Sequence, residues 1–311
     1  MMAIGDMISC REAFGKALVE AGERDPNVVV LDADLGSSTQ AAIFKDSFPE
    51  RFYQVGIAEQ NMIGMAAGMA SVGLVPFTST FACFTGRRVA DQVSISVAFP
   101  RFNVKLLGAY AGIPAGKTGA THQAFEDLAI LRAIPDMVVI CPADGAETRQ
   151  VVLAAVEFEG PVYIRSTREV LPVLFDDDYK FEIGKAVTLR EGEDVGLITT
   201  GIMAHKVLEA ADQLQTRGIS AHVLHLPTLK PLDVPAIIDV AQRFDWLITV
   251  ENHGIIGGLG SAIAETVTEH APVRVHRIGI RDHFGESGDD EALFTKFGMN
   301  VEHIVAAATA R

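Results

Sequence analysis

Cysteine, positive charge and long apolar runs are all scarce in this chain of 311 residues, and each scarcity removes a class of function. Cys10, Cys83 and Cys141 are too few and too scattered for a disulfide framework or a C-x-x-C metal site, which fits a reducing cytosol. Lys plus Arg number 26 against 40 Asp plus Glu, a formal charge of −14 with no basic block. That excludes the footprint of a nucleic-acid binder, and any phosphate bound here is a small one met by a few arginines. The N-terminus has no basic segment followed by an apolar core, and the most apolar later stretch, 62–77, is broken by Gly, Ser and Pro. Neither export nor a membrane span is expected, so the chain reads as cytoplasmic. Internal repeats and low-complexity tracts are also missing.

What is present is alternation. The runs "NVVVLDADL", "VPFTSTF", "VKLLGAYAG", "MVVICPA" and "VYIRST" read as strands bounded by Gly, Pro, Asp or Asn. Between them "REAFGKALVEAGE", "AEQNMIGMAAGMA", "EDLAILRAI" and "GAETRQVVLAAVEF" keep apolar residues at helical spacing. After a proline-containing, acidic, turn-rich stretch at 168–194 the alternation restarts with "VGLITTG", "SAHVLHL", "WLITVEN" and "VRVHRIGI". We therefore expect two three-layer α/β/α domains: a mostly parallel-sheet domain over 1–180 and a smaller one over 190–311.

In open α/β sheets ligands gather at the carboxyl ends of the strands, and several of these ends carry unusual residues. Asp32 and Asp34 precede Gly36, Ser37 and Ser38, which make either a polar turn or a small loop offering donors to an oxyanion. Glu59 opens a helix otherwise stripped to Gly64, Ala66, Ala67, Gly68 and Ala70. It reads either as satisfied by the helix N-terminus or as sharing a proton with a ligand nitrogen, while the small residues let another backbone approach. Phe81 and Phe84 are either core or the walls of a slot for a heteroaromatic ring. "YAGIPAGKTGATHQAFED" is a mobile-looking Gly-rich loop without P-loop spacing, and its His122 is either structural or an acid/base or hydroxyl-binding group. "ENHGIIGGLGSAIAE" lacks the G-x-G-x-x-G pattern, and packing and a domain interface are its expected uses.

The ordered set "DADLGSS", "GIAEQNM", "TSTFACF", "GKTGATHQAFEDLAILRAIP" and "YIRSTRE" resembles the thiamine-diphosphate enzymes of the transketolase family, in their pyrimidine-binding and C-terminal domains, over essentially the whole chain. The resemblance implies that Glu59 contacts the aminopyrimidine ring of thiamine diphosphate, favouring the imino tautomer whose nitrogen can take the thiazolium C2 proton. It places Phe81 and Phe84 around the pyrimidine and Asp34 near the cofactor. His122 becomes the substrate-loop histidine, and Arg11, Ser38 and Arg168 fall where the family grips a sugar phosphate. The G-D-G motif and downstream asparagine that hold the diphosphate through Mg²⁺ are not found. The resemblance thus implies one subunit of a split transketolase, joined in an α2β2 heterotetramer by an N-terminal subunit that carries the diphosphate and Mg²⁺. Two positions depart from the family pattern: Tyr110 stands where a histidine or arginine is usual, and Thr118 where an aspartate is expected. Both point away from the ordinary pentose phosphates, toward a branched, deoxy or sulfonated sugar. Alternative readings are the β subunit of a 2-oxo-acid dehydrogenase E1 component, a deoxyxylulose-phosphate synthase relative, or a non-catalytic structural or regulatory subunit.

Overall fold

The computed structural model describes residues 3–176 and 178–310. In the first half the strands are β1 (Met7–Ser9), β2 (Val28–Asp32), β3 (Phe52–Gln54), β4 (Val75–Phe81), β5 (Lys105–Ala109), β6 (Val138–Ile140), β7 (Val162–Arg165) and β8 (Val170–Pro172). The second half supplies β9 (Val187–Arg190), β10 (Val195–Thr199), β11 (Ala221–His225), β12 (Thr228–Lys230), β13 (Trp246–Gly254) and β14 (Arg274–Ile280). Strands β2, β4, β5 and β7 are buried at every residue, the signature of a parallel sheet covered by helices on both faces.

The larger sheet runs β12-β6-β7-β5-β4-β2-β3, parallel throughout except for β12. The smaller runs β14-β13-β10-β11-β9, parallel except for β9. β1 and β8 pair antiparallel near the two ends of the first half. Although β12 comes from the second half of the chain, it completes the first sheet by pairing with β6. One apolar core likewise runs through both halves, from Val29 and Leu31 past Leu128 and Leu131 to Leu259 and Ile263.

Local signals start and stop the helices that frame the site. Ser9 caps the helix Cys10–Arg24 through its Oγ, and Asp144 caps Gly145–Glu157 by accepting from Glu147 N–H at 2.7 Å. The helix Glu59–Ser71 has no such device: its N-cap is Ala58, which makes no side-chain cap. Ala66 and Ala67 pack into the core, whereas a Cβ added at Gly64 or Gly68 would meet nothing within 4 Å. Among the described residues, therefore, no backbone approaches those two glycines.

Candidate active site

Because β2, β3, β4, β5 and β7 are parallel, the segments that follow them emerge at one rim of the sheet. A line of contacts runs along this rim. Glu59, 5% exposed, does not cap its own helix; its Oε1 accepts from Arg88 Nη1 at 2.7 Å. The same guanidinium lies over the Phe84 ring, 3.9 Å from its centroid. Phe84 stacks with Phe81 (5.9 Å), and Phe81 stacks with Tyr110 (4.3 Å). The Tyr110 hydroxyl accepts from Arg11 Nη1 at 2.7 Å, and that nitrogen also donates to the Ser38 carbonyl at 2.7 Å. The Arg168 guanidinium also stands over the Tyr110 ring, 5.8 Å from its centroid. His122 presents its ring edge-on to both phenylalanines, at 6.0 and 5.4 Å.

Seven of the eight site residues named from the sequence thus meet in one continuous cluster: Arg11, Ser38, Glu59, Phe81, Phe84, His122 and Arg168. Ser38 joins through its carbonyl rather than its hydroxyl. Asp34 stands apart. It is exposed, in a left-handed conformation (φ 62°), and its backbone N–H donates to Gln54 Oε1 at 3.0 Å. Its neighbour Asp32 is the buried carboxylate: Oδ2 accepts from Gln54 Nε2 (2.8 Å) and Leu35 N–H (3.0 Å), and Oδ1 has no partner among the described residues. Burial pushes the Asp32 carboxyl above its ordinary range.

Three further groups shape the rim. Arg87 pairs with Glu126 at 2.9 Å and donates to the Gln123 carbonyl at 3.0 Å, bracing the His122 loop from the side of the first domain. Tyr110 holds φ 58°, a costly conformation for a bulky residue, immediately after β5. Arg88 was not among the residues named from the sequence, although "TGRR" puts it one turn beyond Phe84, on the same face of a helix. The Gly-rich loop is bonded along its length in this structure. Its amides are tied to the second domain, beginning with Ile113 N–H donating to Asn252 Oδ1 at 2.9 Å.

A cleft of about 560 Å³ opens beside Glu59, lined by residues 57–61 with Arg87 and Arg88. Its occupant among the described residues is informative. The guanidinium of Arg88 is flat, rich in N–H, stacked on Phe84 and hydrogen-bonded to a buried carboxylate. An aminopyrimidine ring would need the same three things, so the residues fit the pyrimidine end of thiamine diphosphate and Arg88 stands in for it. By contrast, no group of three or more His, Cys, Asp or Glu able to hold a metal gathers among the described residues.

The fold defines a two-domain α/β chain whose first sheet gathers these side chains at one rim. The chain belongs to the transketolase family: residues 6–173 match the transketolase pyrimidine-binding domain and residues 184–304 the transketolase C-terminal domain. It is 43% identical over 298 residues to a 6-deoxy-6-sulfo-D-fructose transketolase subunit of Clostridium sp. (strain MSTE9), covering 96% of this chain and 92% of that one. It is 37% identical over 304 residues to an apulose-4-phosphate transketolase subunit of Phocaeicola vulgatus, covering 97% of each. Among solved structures, a split-gene transketolase in an inactive β4 tetramer superposes with a TM-score of 0.90 at 46% identity, covering 97% of both chains. Transketolase from Campylobacter jejuni shares the fold, with a TM-score of 0.84 at 24% identity, and this chain spans 47% of it.

Proposed function

We propose that this chain is the pyrimidine-binding subunit of a split transketolase. It would move a two-carbon ketol unit from a ketose (phosphate) donor to an aldose acceptor once joined by a subunit carrying the diphosphate and Mg²⁺ domain. One observation carries the reading: the buried Glu59 carboxylate and the Phe84 face together hold the flat guanidinium of Arg88. Thiamine diphosphate, when bound, supplies the nucleophilic carbon. The chain's own residues do the rest. Glu59 shares a proton with a ring nitrogen, and Phe81 and Phe84 wall the ring and keep water from it. His122, against both phenylalanines, holds or moves a proton of the donor's hydroxyls. Arg11, Arg168 and the Ser38 turn receive the anionic end of the sugar, and Asp34 lies at the cofactor's approach.

Mg²⁺ is assigned to the partner, and the assembly is taken as α2β2. The open face at Gly64 and Gly68, next to the exposed Val72 and Ile57, suits the partner's approach. The two domains are taken as 1–180 and 190–311. A cytoplasmic setting agrees with three unpaired, buried cysteines.

Tyr110 favours a specialised substrate. A phenol flanked by two arginines occupies the place of a basic family residue, and the two relatives named above are subunits of transketolases for 6-deoxy-6-sulfo-D-fructose and for apulose-4-phosphate.

The test is reconstitution with the partner chain. Glu59→Ala is expected to abolish turnover while native mass spectrometry still finds the complex, and near-normal turnover would remove the role given to Glu59. His122→Ala should lower turnover with a ketose donor at least about tenfold while cofactor affinity stays within about twofold; equal losses would make it a cofactor-positioning residue.

A further inference from the structure

None of the hydrogen bonds and ring contacts described for that line comes from the second domain, yet its "ENHG" segment, the end of β13, grips the loop that carries His122. Asn252 is 3% exposed. Its Oδ1 accepts from Ile113 N–H (2.9 Å) and its Nδ2 donates to the Ala111 carbonyl (3.5 Å), so the carboxamide spans Gly112 as a neighbouring strand would. Gly112 has φ 74°, and a Cβ there would collide with the Asn252 carboxamide; only glycine admits the grip.

The exit of the loop is held from the same segment. The Asn252 carbonyl accepts from Arg165 Nη2 (2.9 Å), which also donates to the Ala124 carbonyl (3.2 Å). Gly254 N–H donates to the Phe125 carbonyl (2.8 Å), and the His253 ring accepts from Leu128 N–H (3.2 Å). The middle is held by the segment before and into the helix Asp290–Lys296. Asp290 Oδ1 accepts from Gly116 N–H (3.2 Å), Gly288 N–H donates to the Gly116 carbonyl (3.1 Å), and Gln123 Nε2 donates to the Glu286 carbonyl (3.2 Å). Entry, middle and exit of one loop therefore each receive bonds from the second domain.

We propose that the second domain is the template for the His122 loop, with Asn252 as the positioning residue that sets the loop's height above the phenylalanine pair. This builds on the proposed function, because it gives the second domain a part in the same site. The physical argument is one of order. A Gly-rich loop of this length has many backbone conformations in water, and a catalytic side chain on it is useful only when one of them is selected beforehand. Intraloop bonds such as Gly112 N–H to the Ala124 carbonyl (3.1 Å) close the loop without fixing its tilt. The contacts to β13 and to 286–290 fix the tilt. Asn252 is central because it bonds the entry through its side chain and the exit, via Arg165, through its backbone.

The test is amide hydrogen exchange on the full chain, read by mass spectrometry, followed by kinetics of the complex with its partner. In Asn252→Ala, peptides covering 111–125 are expected to exchange at least about tenfold faster, while those of the helices Glu59–Ser71 and Met203–Thr216 are unchanged. The kcat/KM for the ketose donor should fall at least about tenfold, with thiamine diphosphate affinity within about twofold. Unchanged exchange at 111–125 overturns the proposal, and so does faster exchange with unchanged donor kinetics. If Asn252→Ala exchanges fast everywhere, Asp290→Ala decides: local acceleration over 114–119 supports the template and no change overturns it. A wild-type complex without transketolase turnover would overturn the proposed function, whereas the exchange data judge the anchor by themselves.

Discussion

Glu59 and Arg88 hold each other through an ion pair that is half open to water, with Arg88 47% exposed and Glu59 6% exposed. Such a pair, even with the guanidinium over Phe84, contributes about 1 kcal/mol. It competes with a ligand ring for the carboxylate and for the Phe84 face. Arg88→Ala should therefore tighten thiamine diphosphate binding to the complex by about fivefold, measured by calorimetry; weaker binding would mean that Arg88 touches the cofactor instead of yielding to it. Glu59, Phe81, Phe84 and His122 were legible in the sequence because each sits inside a short run of characteristic neighbours. Arg88 and Asn252 were not, because what they do depends on partners 29 and 139 residues away. Residue type alone does not announce such a partnership. The same limit explains Asp32 and Asp34: "DADL" offers two carboxylates at a strand end, and only the left-handed turn at Asp34 decides which one is turned outward.

The elements around the loop carry a second prediction. His253 is buried between Asp127, Arg165 and Glu251; its Nδ1–H donates to the Gly254 carbonyl at 2.7 Å and its Nε2 accepts from Leu128 N–H. The bond at Nε2 requires the neutral ring, and burial first, with Arg165 beside it, pushes the imidazole down from 6.5 to about 4. Asp127, by contrast, is held below the usual carboxylate range by Arg165 in spite of its burial. Between pH 6.5 and about 4 the unfolded chain binds the histidine proton and the folded one does not, so this contribution to stability is lost as pH falls. Glu251, raised by burial to about 7, runs in the opposite sense, but it is common to both proteins in a comparison of wild type with His253→Gln. The stability advantage of wild type over that variant should shrink by about 3 kcal/mol from about pH 7 to about pH 4, read by urea unfolding. A difference independent of pH would mean that the ring is charged in the fold. At this scale the strands were easily read: "VPFTSTF" is β4 residue for residue, since a fully buried strand is a solid apolar and β-branched run. The three-residue strands β3 and β12 are too short to show a period and become strands only by pairing.

The two large sheets share parts: β12 crosses from the second half into the first of them, and one apolar core serves both. The chain over 1–180 expressed alone would leave the β6 edge and the Leu128 and Leu131 side of the core uncovered. We expect that fragment to aggregate and the intact chain to unfold in one calorimetric transition; a soluble monomeric fragment giving dispersed amide NMR signals would show that the halves are independent. The strand β12 also sets a timetable. Roughly 90 residues separate β6 from β12, and at about 5–20 residues per second of synthesis they take roughly 5 to 18 s to appear. Throughout that interval the nascent first sheet exposes an unpaired edge, so the ribosome's rate, and any chaperone able to shield a strand during it, governs the yield of a chain whose finished fold pairs that edge with β12.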